Sequence, residues 1–270
     1  MSNIFVYGTL LKGMARSNVL NACHYLGPGL IGARLYDLGQ YPGIKDGDGF
    51  VVGEAYEINQ QTLNRLDEIE GYHPKHHRES LFIRKTYEVC LMNGEQVDCY
   101  VYSYNDRVNP RDWILHGDYR RHLLERTAHE QWLIAYGSNM SSVRIAERVG
   151  EVKECRKGYL NGYQLAFNKK AYQHDSARAN IRYDGKSRCP AVAWKLSYEQ
   201  LEMLDMFEGV PHQYVRAALP LMTNTGALLA QGYIAHPDVL ISELNVENTY
   251  MEHIRKGYEE HGFDVDMIRQ

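Results

Sequence analysis

Four short motifs of this chain occur twice, in one order and at nearly one separation. Ile4-Phe5-Val6-Tyr7-Gly8-Thr9-Leu10 is matched by Leu133-Ile134-Ala135-Tyr136-Gly137-Ser138-Asn139-Met140, which places Tyr7 and Tyr136 129 residues apart. Leu66-Asp67-Glu68-Ile69-Glu70-Gly71 is matched 138 residues later by Leu204-Asp205-Met206-Phe207-Glu208-Gly209. Two looser matches follow, Cys99-Tyr100-Val101-Tyr102 with Gln231-Gly232-Tyr233-Ile234, and Asp118-Tyr119-Arg120-Arg121-His122 with Thr249-Tyr250-Met251-Glu252-His253. In them Tyr102 and Tyr233, and Tyr119 and Tyr250, are each 131 residues apart. Chance does not order four landmarks this way, so the chain reads as one plan used twice. The copies meet in the polar segment Arg126-Thr127-Ala128-His129-Glu130, which gives expected domains at 1–127 and 128–270, each of ordinary domain size.

The local patterns repeat as well. Ile4 to Tyr7 and Trp132 to Tyr136 are short apolar runs broken by Gly-Thr or Gly-Ser, the mark of a buried strand that turns sharply. Strand-like segments follow at Gly49 to Ile58 in the first copy, and at Tyr163 to Asn168 and Ala191 to Leu196 in the second. A helix then leads into each carboxylate motif. Asn59 caps the first, Leu63, Leu66 and Ile69 recur on it, and Gly71 stops it; Ser197, then Leu201, Leu204 and Phe207, then Gly209 do the same in the second. Glu70 and Glu208 are thereby placed at helix C-termini. Strands at Tyr87 to Leu91, Asp98 to Tyr104, Ala217 to Met222 and Ala227 to Ala235 come next, and each copy ends in a helical segment. The fold class is α+β: two tandem small domains rich in strand, each a small mixed β-barrel or strongly curled sheet with flanking helices.

Composition narrows the partners. At 270 residues, 44% hydrophobic and 24% charged, with a net charge of -4, the chain has the make-up of a water-soluble globular protein and no basic surplus for nucleic acid or an anionic membrane. No run is long enough for a membrane span, and Ile4-Phe5-Val6 is too short for a signal peptide. Cys23, Cys90, Cys99, Cys155 and Cys189 have no metal-ligand spacing, as for reduced thiols, so a cytoplasmic setting is expected. The 21 tyrosines are an unusual surplus, and polar-lined cavities are one use for them.

The repeated residues also suggest chemistry. A turn at Tyr-Gly-Thr or Tyr-Gly-Ser can aim successive backbone N–H groups at one carboxylate or oxyanion. A glutamate at a helix C-terminus that faces an apolar interior has its pKa raised by dipole and desolvation together, which suits a base near neutral pH. The second copy replaces Glu68 by Met206 but keeps both acids of Leu-Asp-x-x-Glu-Gly. Asp67 and Asp205 therefore read as structural, and Glu70 and Glu208 as candidate catalysts. The cluster His73-Pro74-Lys75-His76-His77 has no match in the second copy and reads as a solvated loop rather than a metal site.

On Tyr-Gly-Thr-Leu, Tyr-Gly-Ser-Asn and the two Leu-Asp-x-x-Glu-Gly motifs, the chain resembles the gamma-glutamylcyclotransferase-like superfamily. The first half, with Leu35-Tyr36-Asp37-Leu38-Gly39-x-Tyr41-Pro42-Gly43, is similar to the gamma-glutamylamine and butirosin-type branch; the second is similar to the Tyr-Gly-Ser-Asn gamma-glutamylcyclotransferases. The resemblance implies a small mixed barrel, and an intramolecular reaction that turns a γ-glutamyl amide, amine or peptide into 5-oxoproline and a free amine without metal or organic cofactor. It further implies that Glu70 and Glu208 move the proton, and that Tyr7, Gly8, Thr9 and Leu10, with Tyr136, Gly137, Ser138 and Asn139, form the substrate-binding turns. Tyr214, Tyr233 and Tyr250 in the second copy, and Tyr102 and Tyr119 in the first, fall at substrate-facing positions. The copies depart from the pattern in two places. Phe82 stands where a tyrosine is expected, and Pro190-Ala191-Val192-Ala193-Trp194 lacks the glycine that Gly53 keeps. The competing expectations are a non-catalytic barrel that captures a small carboxylate ligand, and an enzyme that cleaves or transfers a different acyl group.

Overall fold

The computed structural model describes residues 1–172, 175–242 and 245–269. The chain divides into two compact units, Met1–His122 and Leu123–Gln270. In the first, strand β1 (Ser2–Val6) pairs antiparallel with β5 (Val51–Ile58) and parallel with β7 (Gln96–Tyr104). With β2 (His24–Ile31) and β6 (Phe82–Leu91) these close a five-stranded mixed barrel in the order β1-β5-β2-β6-β7. A separate hairpin, β3 (Arg34–Asp37) with β4 (Pro42–Lys45), branches off between β2 and β5. Helix α1 (Gln60–Ile69) follows β5, and α2 (Tyr119–Thr127) ends the copy.

The second unit repeats the plan. Strand β8 (Glu130–Ala135) pairs antiparallel with β10 (Ala177–Ser197) and parallel with β12 (Gly226–Ala235). Strands β9 (Cys155–Lys170) and β11 (Tyr214–Thr223) complete a second closed barrel, β10-β8-β12-β11-β9. Helix α3 (Ser142–Val149) is an addition after β8, α4 (Tyr198–Glu208) stands where α1 does, and α5 (Asn248–Glu260) closes the copy. No helix of the described residues is long and apolar enough to cross a membrane.

The expected caps form. Asn59 Oδ1 accepts the Thr62 N–H at 2.8 Å, and Ser197 makes a reciprocal capping box with Gln200. Gly71 (φ +60°) and Gly209 (φ +67°) end the helices in left-handed geometry. One expectation fails in detail. Leu63, Leu66, Leu201 and Leu204 are buried, but Phe207 is exposed and Ile69 only half-buried. A three-residue spacing lags the 3.6-residue turn, so the third member of each series has rotated off the core face.

Two strand features escape simple pattern reading. β2 carries Gly27-Pro28-Gly29, which looks like a turn; the chain passes it with a bulge between Tyr25 and Gly27, and Gly29 lets Val89 approach. β9 and β10 are much longer than their apolar cores suggest, since they form a hairpin with two register shifts. The missing glycine of the second copy is also explained. A Cβ on Gly53 would lie 2.4 Å from the Phe5 ring and 2.3 Å from the Val6 carbonyl oxygen. The registers Val6↔Glu54 and Ala135↔Val192 make Ala191 the counterpart of Gly53, and Ile134 that of Phe5. The smaller aliphatic side chain takes the ring out of the path of the methyl, one of the two close approaches at Gly53.

Gly53→Ala is therefore expected to destabilise the first barrel by about 3 kcal/mol, and Phe5→Ile in the same chain to recover part of it. Calorimetric unfolding of the three proteins checks this, and an unshifted first transition in Gly53→Ala would contradict it.

Candidate active sites

Asp67 and Glu70 are three residues apart, so both project from one side of the end of α1. The aspartate is fixed. Its carboxylate takes both contacts of Arg84 Nη1 at 2.7 Å and accepts the Tyr102 hydroxyl at 2.7 Å, which ties the helix to β6 and β7. Asp205 is held in the same way by Arg216 Nη2 at 2.9 Å and the Tyr233 hydroxyl at 2.7 Å, from β11 and β12. With the aspartates pinned to the barrel, Glu70 and Glu208 are carried over its mouth.

The first strand of each barrel ends beside these glutamates. The Tyr7 hydroxyl donates to the Tyr102 carbonyl at 2.5 Å and the Tyr136 hydroxyl to the Tyr233 carbonyl at 2.6 Å, so each turn is anchored from beneath. Burial raises both tyrosine pKa values well above the usual range, and the facing glutamate, Glu70 or Glu208, adds to the effect. Among the described residues the backbone N–H groups of Thr9 and Leu10, and of Ser138 and Asn139, donate no hydrogen bond. The glycines between are required: a Cβ on Gly8 would lie 2.7 Å from Pro42 Cγ, and one on Gly137 2.8 Å from Ala179 Cβ.

The two cavities then differ. The first, of about 110 Å³, is lined by the Tyr7 to Leu10 turn, Glu70, Phe82, Tyr102, Tyr41, Pro42 and Arg16. Glu70 has no hydrogen bond or ion pair there among the described residues. Burial pushes its pKa up to about 7, with the Arg16 charge acting in the opposite direction. The second cavity, of about 1130 Å³, holds the Tyr136 to Asn139 turn, Glu208, Tyr214, Tyr233 and Tyr250. Here Glu208 Oε1 accepts Arg148 Nη1 at 2.6 Å and Asn139 Nδ2 at 2.9 Å. Asn139 is held in turn by Arg148 on its amide oxygen, at 2.9 Å, and by the Trp194 indole on its carbonyl, at 2.8 Å.

The structure brings together all but one of the residues singled out in the sequence. Tyr119 does not line the first cavity; it is buried in the first turn of α2 and stacks on His122. The place near the turn glycine that Ala179 and Tyr250 take in the second barrel is filled in the first by Pro42, from the β3-β4 hairpin. Tyr102 and Tyr233 reach their cavities, but their hydroxyls are committed to Asp67 and Asp205. Tyr214 and Tyr250 bracket Ala179, the first donating to its carbonyl at 2.7 Å, the second accepting its N–H at 3.1 Å. Phe82 opens β6 as Tyr214 opens β11, and lines its cavity without a hydroxyl. Sequence reading missed Arg148, Arg16 and Lys169, since isolated cations outside a repeated motif carry no signal of their own. Tyr41-Pro42 belongs to the Leu35 to Gly43 segment, yet its approach to Gly8 is a tertiary fact. The His73 to His77 segment is exposed, and no group of metal-ligating side chains occurs among the described residues.

The proton on Glu70 is held more tightly in the folded chain than in the unfolded one. The stability it contributes is complete below about 4.5 and is lost as pH rises through about 7. Glu70→Gln stays neutral, so it is expected to leave Tm unchanged at pH 4.5 and to raise it at pH 8. Thermal melts at the two pH values decide, and an equal effect at both would be evidence against a buried, late-titrating carboxyl.

Known proteins share the repeated domain and the fold. Residues 4–121 and 133–254 each match the family described as gamma-glutamyl cyclotransferase, AIG2-like. The gamma-L-glutamyl-butirosin B gamma-glutamyl cyclotransferase of Niallia circulans is 35% identical over 118 residues, covering 42% of this chain and 76% of that protein. The gamma-glutamylcyclotransferase family protein YtfP of Escherichia coli K12 is 43% identical over 65 residues, 24% of this chain and 58% of that protein. The crystal structure of YkqA from Bacillus subtilis has the same fold at a TM-score of 0.78 and 22% identity, over 96% of this chain and 92% of that one. The chain belongs to the gamma-glutamyl cyclotransferase, AIG2-like family, and carries two copies of its domain.

Proposed function

We propose that the protein converts γ-glutamyl amides, amines or peptides to 5-oxoproline and a free amine, with Glu70 and Glu208 as the acid/base groups of two separate sites. The observation that carries this reading is the recurrence, in both barrels, of a helix-end glutamate facing a turn with unused backbone N–H groups. A site that only captured the anionic glutamyl group would gain nothing from a carboxylate placed there twice.

In the reaction the substrate's own α-amine attacks its γ-carbonyl carbon. A new C–N bond closes the five-membered ring, and the carbonyl oxygen takes the negative charge until the bond to the departing nitrogen breaks. The glutamate accepts a proton from the attacking amine and returns one to the leaving nitrogen, so the step balances with no co-reactant. An α-amine titrates near 8 and is largely protonated at neutral pH, so a nearby base is useful. Holding nucleophile and carbonyl together is worth about 7 kcal/mol or more. The turn N–H groups are the donors for the substrate carboxylate or the developing oxyanion. Glu70, with its pKa about 7, is ionised for this task only as pH rises through that value. The five cysteines are free thiols, which supports a reducing, cytoplasmic setting.

Release of 5-oxoproline from γ-glutamyl amines, γ-glutamyl dipeptides and glutathione, followed by mass spectrometry, tests the proposal. Glu70→Gln and Glu208→Gln are each expected to lower turnover at their own site by about 100-fold or more, with folding retained. Unchanged release by the double variant would sink the mechanism. With Glu208→Gln in place, the remaining activity is expected to climb with pH through about 7, as ionisation of Glu70 requires.

A further inference from the structure

Both cavities hold the turn, the glutamate and the aspartate anchor, yet one is about ten times larger, at about 1130 Å³ against about 110 Å³. The larger one also contains a buried cation with no ion pair or side-chain hydrogen bond among the described residues. Lys169, near the end of β9, is 5% exposed and lines the cavity. Its Nζ stands 5.2 Å from the centre of the Tyr214 ring. Directly across the β9-β10 ladder its partner is Arg178, a like charge, which also lines the cavity. Arg178 is balanced by Glu247 at 3.4 Å and by the Ser176 hydroxyl at 3.0 Å; Lys169 is not. Like charges placed opposite each other destabilise a sheet, and a buried ammonium without a partner is costly. An anion in the cavity relieves both. Burial lowers the Lys169 pKa, the Glu208 charge opposes that, and Arg178 adds to it.

We propose that Lys169 is a specificity residue that binds a carboxylate on the departing part of the substrate, so that the second barrel selects γ-glutamyl compounds whose leaving amine is an amino acid or peptide. This rests on the cyclotransferase reading of the site. The departing part is indicated by the comparison between the barrels. The first site keeps the turn and the glutamate with the exposed Arg16 as the one cation in its lining and no buried lysine, so the glutamyl portion common to both sites does not need a buried one. The extra cation and the extra volume occur together, where the second substrate has more to accommodate.

The test uses the full chain with Glu70→Gln, which leaves the second site to be read alone. 5-Oxoproline release is measured from γ-glutamylalanine, from its C-terminal amide, and from the analogue amidated on the glutamyl α-carboxyl. With Lys169 present, kcat/KM for the free acid is expected to exceed that of the C-terminal amide by about tenfold or more, the worth of one charge-assisted contact. Lys169→Gln should bring that ratio near one, Lys169→Arg should keep most of it, and the penalty for the α-amidated analogue should not change. A ratio untouched by Lys169→Gln overturns the proposal, and so does a loss confined to the α-amidated analogue, which would assign Lys169 to the glutamyl carboxylate. Calorimetric binding of the same compounds to the chain with both Glu70→Gln and Glu208→Gln separates the two readings. A Lys169-dependent preference in binding with no turnover in any chain would discard the cyclotransferase reading and keep the anion subsite; turnover without the preference would do the reverse.

Discussion

The arrangement of both sites depends on an aspartate whose carboxylate is held by the barrel. Asp67 and Asp205 tie the last turn of α1 and α4 to two strands through an arginine and a tyrosine hydroxyl. A helix end otherwise frays, because its last carbonyls lack partners. Once the aspartate is clamped, helical geometry leaves the residue three positions on little freedom, and that residue is the glutamate. The charge of the clamp is balanced on the spot, so the cost of partly burying a carboxylate falls on the glutamate alone.

The two glutamates meet that cost differently. Glu70 sits in a small cavity with no hydrogen bond or ion pair on its carboxyl among the described residues, and burial holds it in its protonated form up to near neutrality. Glu208 sits in a large polar cavity where one arginine holds both it and the asparagine of the turn. One scaffold thus offers two electrostatic solutions to the same placement. The divergence lies in elements outside the shared clamp: Arg148 comes from the added helix α3, Lys169 and Arg178 from the long β9-β10 hairpin, and Tyr41-Pro42 from the β3-β4 hairpin of the first copy.

The paired tyrosines show how far the internal symmetry extends. Tyr7 and Tyr136 each cap the carbonyl of the tyrosine in the strand that closes the barrel in parallel. At the next position out the symmetry ends. Tyr214 has its hydroxyl on Ala179, while Phe82 has none to give, and Tyr250 enters its cavity while Tyr119 packs away from its own. The scaffold beneath the turn is therefore common, and the cavity wall above it is particular to each barrel.

The repeat of Tyr-Gly and Leu-Asp-x-x-Glu-Gly was enough to indicate two copies and the helix-end position of Glu70 and Glu208. Those features follow from spacing along one element, which the sequence records directly. Barrel closure, the bulge that carries β2 through Gly27-Pro28-Gly29, and the exchange of Phe5 and Gly53 for Ile134 and Ala191 depend on neighbours distant in the chain. So do the partners of Glu208, the isolation of Glu70 and Lys169, and the displacement of Tyr119. Periodicity within a segment fixes which face a residue occupies; which charges and cavities meet that face is decided only when strands nearly a hundred residues apart close into a barrel.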